Sequence, residues 1–483
     1  LRKCIEKAGC FVYSVRQQIM EGSRTVERNS HIHALKGRHP GLTPVRVIVG
    51  SFLAVILVGT LLLLLPFSTT DGHIPAVDAL FTATSATCVT GLIVFDTYTK
   101  FTWFGQLVIL LLIQVGGLGL VTLTSFFSVA LRRRAAFKSM KLASESISTS
   151  SMADAGRLLV FVIKLAFSFE GIGAVLLALF FVPQFGIQGL WISIFLAVSA
   201  FCNAGFDVLG FFGEYASLVP YAANWYVLTI IMVLIISGGL GFLVWNDVGN
   251  WLHTRHMSMH SKVVLLFTGM LLLLGTVGLL ILEWSNPATM GDMPLHEKIL
   301  SSMFQSVSAR TAGFNSVDLA SLTMMSKYLM IFLMFVGAAP GGTGGGVKVT
   351  TIGVLAVTVF SVACGREDPV IFGRRINKKT VYRSITIILL SLVVVGVATL
   401  TIFFDGDMHS AEIDCMFEAV SAYATVGLSV GVTAVMNPLA KLITILTMFI
   451  GRVGPVSLMI SLARQANENC RREVLPEANI SVG

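Results

Sequence analysis

The stretch Thr84-Ser85-Ala86-Thr87-Cys88-Val89-Thr90-Gly91-Leu92 returns, altered, three more times along the chain. The second copy is Val198-Ser199-Ala200-Phe201-Cys202-Asn203-Ala204-Gly205-Phe206. The third is Val307-Ser308-Ala309-Arg310-Thr311-Ala312-Gly313-Phe314, and the fourth is Val420-Ser421-Ala422-Tyr423-Ala424-Thr425-Val426-Gly427-Leu428. Each holds a Ser-Ala pair followed, a few residues on, by a glycine and an apolar residue. A phrase recurring about every 110 residues is the signature of one structural unit used repeatedly.

Outward from these phrases the chain is apolar. It has 483 residues, 55% hydrophobic and 12% charged, with a mean hydropathy of +0.82. Ordinary soluble domains carry about 25% charged residues, so the composition indicates an integral membrane protein. Eight segments have the length of about 20 mostly apolar residues that a spanning helix needs: Val45–Phe67, Trp103–Leu131, Arg157–Val182, Trp225–Trp245, Val263–Trp284, Ser326–Val362, Thr380–Phe404 and Leu439–Leu462. Four shorter ones, Ala76–Thr87, Leu190–Cys202, Leu295–Ala309 and Ala411–Ala424, suit half-crossing helices, and each leads into one of the repeated phrases. The unit is therefore helix, half-helix, extended loop, helix. The expected fold class is an all-α integral membrane protein with four helix–re-entrant pore loop–helix repeats, eight transmembrane helices in all, around a central pore.

The charge agrees with this arrangement. The formal net charge is +8, but the basic residues sit beside apolar runs rather than on a nucleic-acid-binding face, so no nucleic acid partner is expected. Arg132 to Arg134 with Lys141, the N-terminal tail, and Arg374, Arg375, Lys378 and Lys379 fall on one side if the spans number eight, which makes that side cytoplasmic. Both termini then face the cytoplasm of a multi-pass plasma (inner) membrane protein, and no signal-peptide pattern precedes the first apolar run. The opposite loops lean acidic, with Asp71, Asp78, Asp207, Glu214, Glu283, Asp292, Asp405, Asp407 and Asp414, and an acidic outer vestibule concentrates cations. Cys4, Cys10, Cys88, Cys202, Cys364, Cys415 and Cys470 form no CxxC pair and read as reduced thiols.

Irregular backbone at membrane depth must be buried in protein or line a watery cavity. A glycine after a half-helix lets successive carbonyls turn the same way without a Cβ clash. Four such loops make a ring of oxygens that replaces a cation's hydration shell, and the half-helix C-termini add partial negative charge. The expected ion-coordinating residues are Val89, Thr90, Gly91, Asn203, Ala204, Gly205, Thr311, Ala312, Gly313, Thr425, Val426 and Gly427.

These phrases, with Ala79–Leu92 and Gly105–Gly119, resemble the Trk/Ktr/HKT superfamily of potassium transporters, most closely its Ktr-type membrane subunit, over about residues 45 to 465. Trk-type subunits carry two additional N-terminal helices, and only a polar tail is seen here. The resemblance implies potassium as the transported ion, with sodium as a candidate coupling or activating ion and no organic cofactor. It also implies a homodimer and a cytosolic nucleotide-binding regulatory ring, with membrane lipid as the other partner. In plant relatives a serine at the first filter glycine accompanies sodium transport, so Gly91 favours potassium. The fourth phrase, Thr425-Val426-Gly427, is closest to the potassium-channel phrase TVGYG but continues as Leu428-Ser429. The expected division is a basic tail over 1–44, pore repeats over 45–141, 142–255, 256–365 and 366–465, and a C-terminal tail over 466–483.

The second helix of each unit is interrupted by glycine: Gly116-Gly117, Gly238-Gly239, the run Pro340-Gly341-Gly342-Thr343-Gly344-Gly345-Gly346, and Gly451-Arg452-Val453-Gly454-Pro455. In the first two, close packing is the plain reading. The third cannot hold a helix and is read as a gate, one expected to gain nothing from tight packing. Arg452, among apolar residues, is expected to pair or face water, holding the loop shut through its carbonyls. Lys348 either joins it or reaches toward the cytoplasm.

Other classes fit less well. A sodium or non-selective cation transporter of the same fold remains the nearest alternative. A non-conducting receptor has no need for four matching phrases. A membrane enzyme could use His253, His256 and His260 if they shared a helix face as metal ligands, whereas His31, His33 and His39 lie in the basic tail. Walker, dinucleotide-binding and HExxH motifs are absent from the sequence, so the chain is not expected to be an enzyme.

Overall fold

The computed structural model describes residues 44–119, 152–366, 368–404 and 411–455. The chain divides into Leu1–Arg46 and Val47–Gly483, and the architecture below is that of the second unit. The tail histidines, Arg132 to Arg134, Lys141, Asp405, Asp407, Cys4, Cys10, Cys470 and the C-terminal tail lie outside the described residues.

Helices dominate. In chain order they are α1 (Pro44–Leu63), α2 (Ala76–Cys88), α3 (Trp103–Leu118), α4 (Met152–Phe185), α5 (Ile187–Cys202), α6 (Trp225–Gly239), α7 (Phe242–Thr254), α8 (Met259–Leu282), α9 (Leu295–Ser308), α10 (Met324–Phe335), α11 (Val349–Ala363), α12 (Lys378–Phe403), α13 (Glu412–Ala424) and α14 (Pro438–Val453). A two-stranded ribbon, β1 (Val370–Ile371) with β2 (Arg374–Arg375), turns the chain between α11 and α12. Polar caps start several of the helices. The side chains of Asn224, Ser258, Thr323 and Asn377 accept the first free N–H groups of α6, α8, α10 and α12, removing donors that hydrocarbon could not satisfy.

Among the described residues, Val160–Phe185, Met259–Leu282 and Lys378–Phe403 are long and apolar enough to cross a membrane. Two of the expected spans are not continuous. Trp225–Trp245 breaks after Gly239, where α6 and α7 meet at 96°, and Ser326–Val362 breaks after Phe335 into α10, a loop and α11. The expected spans Trp103–Leu131 and Leu439–Leu462 run beyond the described residues. The three histidines do not share a helix: His253 is in α7, Arg255 at φ 57° ends that helix, His256 lies in the connection and His260 opens α8. Among the described residues no group of three His, Cys, Asp or Glu side chains is placed to hold a metal.

The short helices α2, α5, α9 and α13 sit at the centre, and their packing closes on itself. α5 packs against α3, α9 against α6, α13 against α10, and α2 against α14, the last helix described. Ion pairs repeat that rule. Lys327 of α10 reaches Asp414 of α13, and Lys441 of α14 reaches Asp78 of α2, each at 2.7 Å. At the corresponding place Gln106 of α3 accepts from the Trp191 indole of α5 at 2.8 Å. Lys327, Lys441 and Gln106 are each the fourth residue of their helix. Asp78 and Asp414 are thus committed to lysines and do not line an open vestibule. Between the helices, Asp71 pairs with Lys100 at 2.8 Å, and that hydrogen bond and charge hold its carboxyl below the usual range.

Candidate functional site

Each short helix leads into a left-handed residue, at the cap itself in three copies and two residues beyond the cap in the third copy. Val89, Asn203, Thr311 and Thr425 adopt the left-handed conformation, with φ of 57°, 59°, 67° and 52°. Each stands two residues before a glycine that also has positive φ: Gly91, Gly205, Gly313 and Gly427, at 93°, 69°, 85° and 92°. A left-handed residue at a helix end is a common cap, but glycine usually fills it. Using Val, Asn and Thr there stores strain of about 1–3 kcal/mol per residue, held by surrounding contacts. In three copies the next N–H bonds back to the serine carbonyl: Thr90 to Ser85, Ala204 to Ser199 and Val426 to Ser421, at 2.8, 2.8 and 2.9 Å. Ser85 and Ser421 also accept the glycine N–H through Oγ, at 3.1 Å each. The third copy is one residue shorter between serine and glycine, so Ser308 Oγ instead donates to the Phe314 carbonyl.

The four glycines close a ring. A Cβ on Gly91 would lie 2.4 Å from Ala204 O, one on Gly205 2.8 Å from Ala312 O, one on Gly313 2.5 Å from Val426 O, and one on Gly427 2.2 Å from Thr90 O. Each glycine therefore backs onto the carbonyl preceding the next, and the fourth returns to the first. All twelve residues singled out in the sequence are buried here. On one side the glycines form the floor of a cavity of about 340 Å³ whose wall includes Asp207 and Asp318. Of the acidic residues expected in a vestibule, Asp207 lines this cavity. Asp318, a turn residue, gave no sequence signal.

On the other side lies the segment between α10 and α11. Pro340, Gly341, Gly342, Thr343, Gly344, Gly345 and Gly346 form no helix, as expected, but the loop is closely held. Ala339 N donates to Gly239 O at 3.0 Å, Thr343 N to Gly238 O at 3.2 Å and Phe242 N to Gly341 O at 3.0 Å. These bonds take up groups released where α6 breaks. Gly345 N donates to Thr425 Oγ1 at 3.1 Å, and a Cβ on Gly344 would meet Thr311 Oγ1 at 2.1 Å. The loop thus touches two of the four left-handed residues, and its glycines are needed for close approach. Lys348 turns back onto the loop, its Nζ donating to Gly344 O at 2.6 Å, rather than reaching away. Arg452 is the penultimate residue of α14. Its Nη1 donates to the carbonyl of Thr343 and its Nη2 to that of Gly116 in α3.

The glycines of the other inner helices are packing positions. A Cβ on Gly116, Gly238 or Gly451 would fall 2.0, 1.9 or 1.8 Å from the carbonyl of Thr87, Phe201 or Tyr423. Those carbonyls each stand two residues before a left-handed residue, so the three contacts are equivalent.

Two braces escaped the sequence reading. Glu418 of α13, fully buried, accepts from Ser429 Oγ at 2.5 Å, Val430 N at 3.2 Å and Thr433 Oγ1 at 2.8 Å, tying down the chain after Gly427. Glu170 of α4 accepts from Gln114 of α3 at 3.0 and 3.1 Å. The signal available was a lone carboxylate inside an apolar run, which at membrane depth marks a built interaction.

Known proteins resemble this chain in sequence and in fold. The family model described as cation transport protein (TrkH) matches residues 42–470. The potassium/sodium uptake protein NtpJ of Enterococcus hirae is 37% identical over 446 residues, covering 92% of this chain and 98% of its own. The Ktr system potassium uptake protein B of Bacillus subtilis is 37% identical over 444 residues, covering 91% and 97%, and that of Vibrio alginolyticus is 39% identical over 424 residues, covering 87% and 91%. The crystal structure of the potassium transporter TrkH from Vibrio parahaemolyticus superimposes with a TM-score of 0.66 at 20% identity, covering 90% of this chain and 86% of that one, which is agreement in fold. With the closed ring of glycines and matches of this extent, the chain belongs to the TrkH family of cation transport proteins, a family of transporters and not of enzymes.

Proposed function

We propose that this chain is the membrane subunit of a potassium uptake system, conducting through the ring of Gly91, Gly205, Gly313 and Gly427. The observation that carries the reading is the closure of that ring, in which every glycine backs onto the carbonyl before the next. Backbone carbonyls replace hydration water around a cation, and a ring with no Cβ leaves them room. The relatives named for potassium uptake support the choice of ion. The polar outer cavity with Asp207 and Asp318 is the ion's antechamber.

In this reading the four repeats and eight spans divide as the sequence suggests, over 45–141, 142–255, 256–365 and 366–465. The twelve residues around the glycines form the filter. The loop Pro340–Gly346 is the gate, with Arg452 and Lys348 fastening it from below. Two copies form a homodimer docked on a cytosolic nucleotide-binding ring, with both termini cytoplasmic. A guanidinium beside the pathway also repels a permeating cation.

Rubidium uptake into vesicles holding the purified chain, with and without sodium, tests the proposal. Concentrative or gradient-driven rubidium entry that sodium competes with weakly is expected; no entry would overturn it. A second reading, transport of sodium as well, is favoured by one relative named for potassium and sodium together, and equal competition by sodium would establish it.

A further inference from the structure

Asp96 follows Gly91 by five residues and is 5% exposed. The hydrogen bonds to its carboxylate come from backbone N–H groups. Tyr98 N and Thr99 N each donate to Oδ1 at 3.0 Å, and Tyr215 N donates to Oδ2 at 3.2 Å. The first two bonds cap the short helix Thr97–Lys100, as aspartate does at many helix starts. The third comes from 119 positions away, in the chain after the second glycine, Gly205. A Cβ on Gly210 of the same stretch would lie 2.1 Å from Asp96 Oδ1, so the backbone there passes directly against the carboxylate. Among the described residues no lysine, arginine or histidine forms an ion pair with Asp96.

The turn that Asp96 holds is a wall of the outer cavity. Tyr215 and Ser217 both line that cavity, and both are left-handed, with φ of 61° and 46°. Residues other than glycine keep such conformations where surrounding contacts enforce them. Besides the bond to Asp96, Tyr215 Oη donates to Val94 O at 2.9 Å, Ser217 Oγ accepts from Asn315 N at 3.3 Å, and Leu218 N donates to Asn315 O at 3.1 Å. Val94 lies just past Gly91 and Asn315 just past Gly313. The turn therefore bridges the chains that leave two glycines of the ring, and Asp96 fixes its left-handed corner.

We propose that Asp96 is a positioning residue for cation capture: by holding Tyr215 it fixes the wall of the outer cavity, and its carboxylate sets a negative charge without a cationic partner behind that wall. This rests on the reading of the glycine ring as the conduction path. A wall already fixed need not be ordered when an ion arrives, and a negative charge behind it raises the local concentration of cations. Both effects act on entry and leave the ring itself alone. They set the rubidium concentration that half-saturates uptake, while the maximal rate is set by the steps beyond.

Asp96→Asn separates the tie from the cap. The amide oxygen still accepts from Tyr98 and Thr99, whereas the amide nitrogen faces the Tyr215 N–H, donor against donor, and the charge is gone. The assay is rubidium uptake by vesicles holding equal amounts of folded protein. The half-saturating rubidium concentration should rise at least about fivefold, with maximal uptake within about twofold of wild type. Tyr215→Phe, which frees the turn from Val94 but keeps the Asp96 bond and charge, should raise it about two- to threefold. An unchanged half-saturating concentration in Asp96→Asn, whatever happens to maximal uptake or melting temperature, would overturn the proposal and leave Asp96 as a helix cap. If Asp96→Asn does not fold, Tyr215→Phe decides, and an unchanged half-saturating concentration there overturns it. Absence of uptake by the wild type would overturn the conduction reading and this proposal with it; wild-type uptake with an unaffected Asp96→Asn overturns this proposal alone.

Discussion

Replacing Arg452 with glutamine is the sharpest perturbation of the proposed gate. The guanidinium spans from α14 to two carbonyls, Thr343 in the loop and Gly116 in α3. Opening that moves the loop breaks the bond to Thr343, whereas the bond to Gly116 ties two helices and is common to both states. A hydrogen bond from a charged donor contributes about 1.5–3 kcal/mol, and a neutral amide recovers at most one bond of about 1 kcal/mol. The closed state should then lose roughly 0.5–3 kcal/mol relative to the open one, which is about twofold to 150-fold in the gating equilibrium. Flux rises by that factor or to the ceiling set by a fully open pore, whichever is smaller. Arg452→Lys keeps charge but loses the planar fork and should fall between wild type and Arg452→Gln. The assay is rubidium uptake by equal amounts of folded protein in vesicles, with sodium competition run alongside, since the filter is untouched and selectivity should not change. Lower or unchanged flux in Arg452→Gln would refute the latch and leave Arg452 as a structural tie between helices.

Serine at Gly91 or Gly313 places a Cβ against the carbonyl of Ala204 or Val426, at positive φ, and should weaken discrimination of potassium over sodium; an unchanged ratio in all four glycine mutants would remove the filter assignment. Deleting part of Gly341–Gly346 should raise flux and lessen dependence on the cytosolic partner, and a folded deletion that conducts less than wild type would make the loop a support of the pore instead, as its dense hydrogen bonding permits. Lys441→Met strands Asp78, whose side chain is 8% exposed, and should cost about 3–5 kcal/mol in unfolding measurements; pairing it with Asp78→Asn should recover most of this, and equal losses in single and double mutants would count against the pair. Truncation up to about Arg38 should weaken co-purification with the regulatory ring, and full retention would take the tail out of docking.

Much of this architecture was legible in the chain because it depends on local chemistry. Short apolar runs ending in a serine, a small residue and a glycine specify a half-helix and a left-handed exit wherever they occur, and four copies in register announce a ring. The run Pro340–Gly346 excludes a helix by its own composition. Arg452 was conspicuous because a charge among apolar residues demands a partner. Partners are another matter. That Arg452 meets Gly116 as well as the loop, that Lys441 reaches Asp78 across 363 positions, and that Glu418 braces the chain after Gly427 are choices made through space, and no local pattern encodes them. The break of α6 after Gly239 shows the difference. Trp225–Trp245 reads as one continuous span, since its glycines alone permit an unbroken helix. It bends because the loop arriving from about 100 residues away takes up the carbonyls of Gly238 and Gly239 and offers that of Gly341 to Phe242. Sequence determined which elements exist; tertiary structure decided which of them satisfy one another, because hydrogen bonds freed at membrane depth must be closed by whatever the fold brings near.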